Sequence, residues 1–376
     1  MYRIPLFDLN FDEREERAIV ETLRSKWIST GPRTAEFEEM FAAMLGSGHA
    51  LALANCTSAL HLALRVLDIG PGDEVICPSL TFVATVNAVG YVGAVPVFAD
   101  IVGEDDLTID PGDIRRLVNE RTRAIIVMHY AGFPCDMDAV AEIAAAHDLR
   151  VIEDACHGPL SEYGERKLGT LGDVGCFSFF SNKNLSTAEG GMLVTDDPAL
   201  HERTKLLRSH GMTTMSYERS RGHSTVYDVV EPGYNYRMDD LRASLGIVQL
   251  GKLREDLEKR AFVRRWYEEA LAGIEEVSVP FRGHGQFVSN YIFPVVLTDA
   301  CAVARDEVRD RLHSAGVQTS MHYPPVHRFS FYREFSRELP VTERVAEKLI
   351  TLPMYSSLTR EDVFFVAQAL RDATGN

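Results

Sequence analysis

EVICPSLTFVATVNAVGYVGAVPVFA, residues 74–99, carries the pattern that decides the fold. Its two ends, EVICP (74–78) and VPVFA (95–99), are short runs of apolar and β-branched residues that are typical of buried strands. Residues 82–91 between them have the length and apolar spacing of a helix. Because a strand, a helix and a second strand in this order form a βαβ unit, the two strands are predicted to be parallel neighbours.

The same alternation continues on both sides of this unit, from about residue 50 to residue 195. Further helices are predicted at 58–66, 111–118 and 137–147, the last beginning after Asp136, a good N-cap residue. Further strands are predicted at AIIVM (124–128), RVIE (150–153), CFSFF (176–180) and MLVT (192–195). The pattern predicts an α/β domain with a mainly parallel sheet.

The rest of the chain has a different pattern. An amphipathic helix is predicted at 13–26, and a long helical pattern without proline covers 237–269. A strand at 291–297 and a helix-rich C-terminal stretch predict a smaller α+β domain. We therefore expect an N-terminal segment and large domain over 1–245, and a linking helix with a small domain over 246–376.

Composition and charge exclude several classes of protein. The 376 residues exceed the roughly 250–300 that one core usually serves, so two domains are expected. A net charge of −16 repels a nucleic-acid backbone, which argues against nucleic acid as a partner. No apolar run reaches the roughly 20 residues needed to span a bilayer, and the first residues do not resemble a signal peptide. These features predict a cytoplasmic protein with no membrane partner.

Six cysteines occupy positions 56, 77, 135, 156, 176 and 301. They form no CxxC pair and no cluster with the sequence spacing of zinc ligands, so free, mostly buried thiols and no metal site are predicted.

A single lysine stands in GCFSFFSNKNLSTAEGG (175–191), where an apolar run passes into a polar loop of small residues. Lys183 could be a solvated surface residue. A lysine that forms a Schiff base needs a sheltered pocket, where lost solvation or nearby charge lowers its pKa enough to leave the amine unprotonated. Phe177, Phe179 and Phe180 could provide that shelter, and Ser178 could meet a polar group nearby.

Two other stretches could complete such a site. RVIEDACH (150–157) ends a strand with Glu153 and Asp154, which could cap a helix or face a protonated heterocyclic nitrogen. NCTSAL (55–60) opens a helix with small hydroxyl residues, which could be a plain N-cap or a phosphate site at the helix N-terminus. Phe82 is a candidate to stack on a ring.

The motifs occur together in an order that resembles the DegT/DnrJ/EryC1/StrS family of pyridoxal-phosphate-dependent sugar aminotransferases. The similarity extends over nearly the whole chain. It rests on SKWISTGP (25–32), ANCTSALHLAL (54–64), GPGDEVICPSLTFVATVNAV (70–89), IEDACHG (152–158), FSFFSNKNLSTAEGGM, PGYNYRMDDLRASLG (232–246), HYPPVH (322–327) and LPMYSSLT (352–359). The resemblance implies the aspartate-aminotransferase-like fold type I and a homodimer with shared active sites.

The resemblance also implies roles for individual residues. Lys183 would form the Schiff base, Asp154 would pair with the pyridine nitrogen, and His157 would lie near the cofactor ring. The remaining cofactor contacts would be Phe82 on the ring, and Thr57, Ser58, Ser178 and Asn235 at the phosphate, with Asn235 supplied by the neighbouring subunit. Some relatives that act as dehydratases have histidine in place of this lysine, so Lys183 favours transamination.

The substrates are less closely defined. The expected acceptor is a 4-keto or 3-keto deoxy sugar on a nucleotide, with L-glutamate as donor and ping-pong turnover through pyridoxamine phosphate. A keto-cyclitol, a small phosphorylated ketone, or a non-catalytic pyridoxal-phosphate-binding regulator are the alternatives. Candidate substrate contacts are the segment 216–226 together with Ser29, Thr30, Arg237, His322, Tyr323, His327 and Arg328.

Overall fold

A central mixed sheet organises the larger part of the molecule. The computed structural model describes residues 2–214 and 226–375, and within these ranges seven strands form the sheet in the order β1-β9-β8-β5-β4-β2-β3. Six strands run parallel, and β9 is antiparallel to both of its neighbours. The predicted α/β architecture with a mainly parallel sheet is therefore confirmed. The strands are β1 His49–Leu53, β2 Glu74–Pro78, β3 Val95–Ala99, β4 Thr122–Met128, β5 Arg150–Asp154, β8 Val174–Ser178 and β9 Gly191–Thr195, with a small hairpin of β6 Glu162–Tyr163 and β7 Arg166–Lys167.

Helices cover both faces of this sheet because the crossover connections between parallel strands place them there. Asn55, Asp110 and Asp136 each cap the helix that follows by accepting a backbone N–H. The helices of this part are α1 Glu13–Arg24, α2 Pro32–Leu45, α3 Cys56–Val66, α4 Val83–Tyr91, α5 Pro111–Leu117, α6 Met137–His147 and α7 Pro198–Arg208.

The structure corrects two of the predicted strands and adds one that was not predicted. The strand predicted at 176–180 is β8, which ends at Ser178, so Phe179 and Phe180 belong to the following loop. β1 was missed in the sequence, where HALAL is short and flanked by helices. The strand predicted at 291–297 begins at Phe293, because Asn290 has a φ of 48° and turns the chain just before it.

A long helix leads into the C-terminal part. This helix, α8 Asp240–Ala270, packs on α1, α2 and the C-terminal helix. The other elements are β10 Val277–Ser278, β11 Phe293–Leu297, β12 Leu349–Leu352, α9 Arg305–Ser314, α10 Pro340–Lys348 and α11 Arg360–Thr374. The three strands form an antiparallel sheet whose core includes Tyr267 and Phe293. The predicted boundary at 245/246 falls inside α8, and the division into domains stays a prediction.

Among the described residues, no helix combines the length and the apolar character that crossing a membrane requires. All six cysteines lie in the described ranges and carry free thiols, as predicted.

Candidate active site

A cavity of about 410 Å³ opens at the carboxyl ends of β4, β5 and β8. This edge is where ligands bind in open α/β sheets. Eight of the predicted cofactor and substrate contacts line this one cavity, namely Thr57, Phe82, Asp154, His157, Ser178, Lys183, His322 and Tyr323. The structure therefore brings together three stretches, around residues 57, 154 and 183, that are separated by up to 126 positions.

The N-terminus of α3 forms one wall of the cavity. Asn55 Oδ1 accepts the Ser58 N–H at 2.9 Å and the Ser58 hydroxyl at 2.9 Å, which fixes the first turn. Ser58 is buried and serves this cap, whereas Cys56 and Thr57 face the cavity. A Cβ at Gly191 would lie 2.6 Å from the Cys56 nitrogen, so only glycine lets β9 pass this close to the helix. The arrangement presents a helix N-terminus, which attracts anions such as phosphate.

Asp154 ends β5 and is 5% exposed. Its Oδ2 accepts the Thr85 hydroxyl at 2.7 Å, and its Oδ1 accepts the Cys156 N–H at 3.2 Å. The Thr81 and Thr85 hydroxyls are 2.8 Å apart. Because the Thr85 hydroxyl donates its proton to the carboxylate, the Thr81 hydroxyl must donate to Thr85. The two hydroxyls therefore form a chain of hydrogen bonds that runs from Thr81 to Asp154.

Neither carboxylate of the Glu153-Asp154 pair caps a helix, since a turn follows β5. Neighbouring strand residues point to opposite faces, so Glu153 lies away from the cavity. It bonds His129 Nε2 at 2.9 Å and accepts the backbone N–H groups of Gly169, Leu171 and Gly172. Glu153 therefore holds the loop before β8 in place, and of the two carboxylates only Asp154 lines the cavity.

Lys183 follows β8 and is half-buried in the wall of the cavity, so the reading as a solvated surface lysine does not hold. Its Nζ lies 4.0 Å from the centre of the Tyr291 ring, a cation–π contact. The Tyr291 hydroxyl donates to Asn182 Oδ1 at 3.1 Å, which anchors the ring beside the lysine. The Lys183 amine therefore has a defined position on an aromatic face.

His157 and Tyr323 form a hydrogen-bonded pair in the cavity. Burial, followed by the nearby Lys183 charge, lowers the pKa of His157 well below its usual value, so the ring is neutral. Its Nδ1 accepts the Ala131 N–H at 3.2 Å, so the ring proton is on Nε2, which donates to the Tyr323 hydroxyl at 2.8 Å. The Tyr323 hydroxyl accepts this hydrogen bond, so its own proton is available to an acceptor in the cavity. Among the described residues, this hydroxyl has no further hydrogen-bond partner.

Two predicted cofactor contacts lie near the mouth of the cavity. Phe82 precedes α4, is 58% exposed, and has its ring centre 6.0 Å from that of Tyr323. Ser178 lies at the end of β8, where its hydroxyl accepts the Phe180 N–H at 3.4 Å. Asn235 is exposed and forms an isolated antiparallel β-bridge with Ser209. It does not line this cavity, so its role stays a prediction.

The predicted substrate contacts divide into two groups. His322 and Tyr323 line the cavity, and burial together with Lys183 lowers the pKa of His322 to about 4. His327 is buried elsewhere, with Nδ1 2.7 Å from the Ser79 hydroxyl and Nε2 3.0 Å from Glu343. Arg328 pairs with Glu343 at 3.1 Å and does not reach the cavity of its own chain.

The remaining predicted substrate contacts also lie outside this cavity. Ser29 is exposed, and the Thr30 hydroxyl donates to the Met238 carbonyl. Arg237 donates to the Ser209 hydroxyl at 3.0 Å, and burial followed by the charge of Arg208 lowers its pKa. Residues 216–225 of the predicted segment 216–226 lie outside the described residues.

Sequence reasoning missed four residues that shape the site. Thr85 lies within an apolar helix and Thr81 lies just before that helix begins, so neither hydroxyl stands out in the sequence. The contact between Tyr291 and Asn182 could not be predicted from the sequence, because the two residues are 109 positions apart.

Comparison with known proteins gives a consistent result. The model of the DegT/DnrJ/EryC1/StrS aminotransferase family matches residues 10–371. The spore coat polysaccharide biosynthesis protein SpsC of Bacillus subtilis is 39% identical over 378 residues, covering 99% of this chain and 96% of SpsC.

Two solved structures are similar over their full length. PseC of Helicobacter pylori, an aminotransferase involved in the biosynthesis of pseudoaminic acid, superposes with a TM-score of 0.92 at 30% identity, covering 98% of each chain. The PLP form of the putative sugar aminotransferase Spr1654 of Streptococcus pneumoniae has a TM-score of 0.91 at 28% identity, covering 99% of each chain.

Proposed function

The chain belongs to the DegT/DnrJ/EryC1/StrS aminotransferase family, and on this premise we propose that it aminates the ketone of a nucleotide-linked keto sugar. Membership makes it a pyridoxal-phosphate-dependent aminotransferase of fold type I. The proposed acceptor is a 4-keto or 3-keto deoxy sugar, and the proposed donor is L-glutamate.

One observation carries the proposal. A helix N-terminus, a buried carboxylate and a half-buried lysine meet in one cavity of about 410 Å³. These are the three groups that pyridoxal phosphate requires: an anion site, a partner for its ring nitrogen, and an amine. The residues present fit the cofactor, which when bound supplies an electron sink for the carbon that loses a proton.

We assign the cofactor contacts to the residues that face the cavity. The N-terminus of α3, with Thr57 and Ser178, would hold the phosphate. Asp154 would pair with the ring nitrogen, and the Thr81–Thr85 hydroxyl chain would fix its orientation and stabilise its negative charge. Ser58 would act through the cap of α3, because its hydroxyl is bonded to Asn55.

Lys183 would carry out the proton transfer. Its free amine would remove a proton from the carbon that bears the amino group of the donor, and would return a proton to the acceptor carbon in the second half of the reaction. The Tyr291 ring, 4.0 Å from Nζ, stabilises the ammonium form that results from the first step. The free Tyr323 proton would orient an oxygen of the cofactor or of the substrate.

A second copy of the chain would complete the site. Phe82 and Phe180 are 58% and 45% exposed at the cavity, and Asn235 is exposed outside it. We propose a homodimer in which these aromatic rings are covered and Asn235 of the partner subunit reaches the phosphate. Light scattering at micromolar concentration should give twice the chain mass, and a monomer would contradict the proposal.

The relatives support a sugar as acceptor. SpsC is named for polysaccharide biosynthesis, PseC for pseudoaminic acid, and Spr1654 as a putative sugar aminotransferase. Within the keto sugars, TAEGG (187–191) resembles the loop of relatives that aminate carbon 4, which favours that position.

The acceptor can be tested with matched ketones. The enzyme is first converted to its pyridoxamine form with L-glutamate, the excess donor is removed, and the return to the pyridoxal form is followed by absorbance. A nucleotide-linked 4-keto sugar should restore the pyridoxal form, and the same sugar without its nucleotide should do so far more slowly. Equal rates would contradict the nucleotide linkage, and response only to a keto-cyclitol or a phosphorylated ketone would contradict the sugar acceptor.

A further inference from the structure

Two thiols lie in contact beside Asp154. Cys56 Sγ and Cys156 Sγ are 3.0 Å apart, although the residues are 100 positions apart in sequence. Cys56 is the first residue of α3, and Cys156 lies in the turn after β5. Together with a carboxylate oxygen of Asp154, the two sulfurs form a group whose atoms all lie within 4.8 Å of one another. Neither thiol has a part in the proposed transamination.

We propose that Cys56, Cys156 and Asp154 form a binding site for a thiophilic divalent cation such as Zn²⁺. Two sulfurs and one carboxylate oxygen are a donor set that suits Zn²⁺, which accepts cysteine and aspartate ligands in tetrahedral geometry. All three residues line the cavity, so a water molecule can take the fourth position. The set resembles a three-ligand site with one open position.

The small separation of the sulfurs is compatible with this geometry. Zn–S distances of about 2.3 Å and a tetrahedral angle place two sulfur ligands about 3.8 Å apart. The two thiols, at 3.0 Å, would therefore separate by about 0.8 Å, which a side-chain rotation of the half-buried Cys156 can supply. The anchored N-terminus of α3 would hold Cys56 in place.

Binding would release protons and leave a charge that the cavity can balance. The hydrogen bond from Cys156 lowers the pKa of Cys56, but burial and the Asp154 charge raise it overall to about 11, and burial raises the pKa of Cys156 well above its usual value. Both groups are thiols at neutral pH, so Zn²⁺ would displace two protons into solvent. One dication, two thiolates and one carboxylate sum to a charge of −1, which the Lys183 ammonium in the same cavity offsets.

The cation and the cofactor would weaken each other's binding. This step rests on the proposed function, in which Asp154 pairs with the ring nitrogen of pyridoxal phosphate. A cation on Asp154 would draw negative charge away from the carboxylate and would repel the protonated ring nitrogen that the carboxylate is to hold. Linkage then requires each ligand to weaken the other by the same factor, for which we expect at least about tenfold.

Co²⁺ is a suitable probe because thiolate ligands give it an intense near-ultraviolet charge-transfer band. The full-length, untagged and reduced chain is titrated with Co²⁺ in its cofactor-free form and again after loading with pyridoxal phosphate. We expect one Co²⁺ per chain, a thiolate band and close to two protons released in the first case. Loading with the cofactor should raise the apparent Kd for Co²⁺ about tenfold or more.

Matched variants identify the ligands. Cys56→Ser and Cys156→Ser should each abolish the thiolate band, and Cys56→Ala serves if the serine variant fails to fold. Cys301→Ser is the control, since Cys301 is also partly exposed but lies in the C-terminal part, bonded to Val303. The band should persist in this control.

Three results would overturn the inference: no thiolate band in the wild-type chain, a band that survives both Cys56→Ser and Cys156→Ser, or equal Co²⁺ affinity with and without cofactor. The first two leave the proposed function intact if the loaded chain still responds to L-glutamate. A chain that shows the band but does not respond to any amine would contradict the proposed function and not the cation site.

Discussion

Two segments meet at the cavity and contribute to it in different ways. The strand-end segment, from β5 through residue 183, supplies Asp154, His157, Ser178 and Lys183, and all four face the cavity. The C-terminal segment 322–328 supplies only its first two residues. In the first segment the regular sheet fixes which of two neighbouring residues, Glu153 or Asp154, reaches the cavity, whereas no regular strand does this in the second segment.

The difference shows how far a motif determines a site. Parallel strands end at one edge of a sheet, so polar residues that follow them are brought together by the fold itself. The segment 322–328 is irregular, and its side chains follow local packing: Tyr323 bonds His157, while His327 bonds Ser79 and Glu343. A motif in such a segment identifies the neighbourhood of the site and leaves the individual contacts open.

Replacing Lys183 should have the largest effect on activity, because it removes the reactive group of the strand-end segment. Lys183→Ala should lower kcat by about 10³-fold or more, since the proposed general base is lost. The half-reaction with L-glutamate, followed by absorbance, measures this. Lys167→Ala is the matched control, because Lys167 is also half-buried but pairs with Glu162 outside the cavity. Full activity of Lys183→Ala would contradict the assignment.

A pair of variants in the C-terminal segment should distinguish a residue that reaches the cavity from one that does not. Tyr323→Phe removes a hydroxyl that faces the cavity and should lower kcat/KM about tenfold, the size of one hydrogen bond. His327→Gln disturbs the bonds to Ser79 and Glu343 and should cost about 1–2 kcal/mol of unfolding free energy, with a smaller effect on KM. Steady-state kinetics and urea unfolding of both variants separate the two effects. A large rise in the acceptor KM of His327→Gln without loss of stability would show that this residue contacts substrate.

The hydroxyl chain behind Asp154 predicts a smaller effect. Thr85→Val removes the 2.7 Å hydrogen bond to Asp154 at nearly constant volume and should weaken pyridoxal phosphate binding about fivefold. Thr85→Ser keeps the hydroxyl and should stay within about twofold of the wild type. Equilibrium titration of the cofactor-free chain measures both. Equal losses in the two variants would indicate a packing effect rather than a role of the hydrogen bond.

Each segment also contains a histidine that makes stability depend on pH, the buried His157 in the first and the half-buried His322 in the second. Burial lowers the pKa of His322 to about 4 and that of His157 well below its usual value. Because the unfolded chain takes up these protons below about pH 6.5 and the folded chain does not, stability should fall as the pH drops from 6.5 toward 4, by up to about 1.4 kcal/mol per pH unit for each histidine. Urea unfolding of wild type and His322→Gln between pH 7 and 5 tests this. An equal pH dependence in both would contradict the origin assigned to it.

Much of the fold could be read from the sequence because the strands of the parallel sheet are continuous apolar runs. β2 and β3 have the predicted bounds, and α6 begins at the predicted cap. The predicted strand 176–180 extended too far, since periodicity does not show that Phe180 turns outward at the cavity, where it is 45% exposed. The expectation that an apolar residue is buried therefore fails for Phe180, which lies at the cavity.

The site could be predicted only where chemistry and chain position coincide. Asp154 ends β5 and Lys183 follows β8, and these strands end at one edge of the sheet, so the meeting of the two residues follows from topology. Tyr291 and Thr85 reach the same place through contacts between distant segments, and nothing in their own sequence neighbourhood indicates it.

Reduction of the pyridoxal-phosphate-loaded protein with borohydride tests whether Lys183 is the cofactor-binding lysine. Borohydride converts the C=N bond between a lysine and pyridoxal phosphate into a stable C–N bond, and peptide mass spectrometry then locates it. We expect the pyridoxyl group on the peptide that contains Lys183 and no such adduct in Lys183→Ala. An adduct on another lysine, or none after full reconstitution, would contradict this assignment.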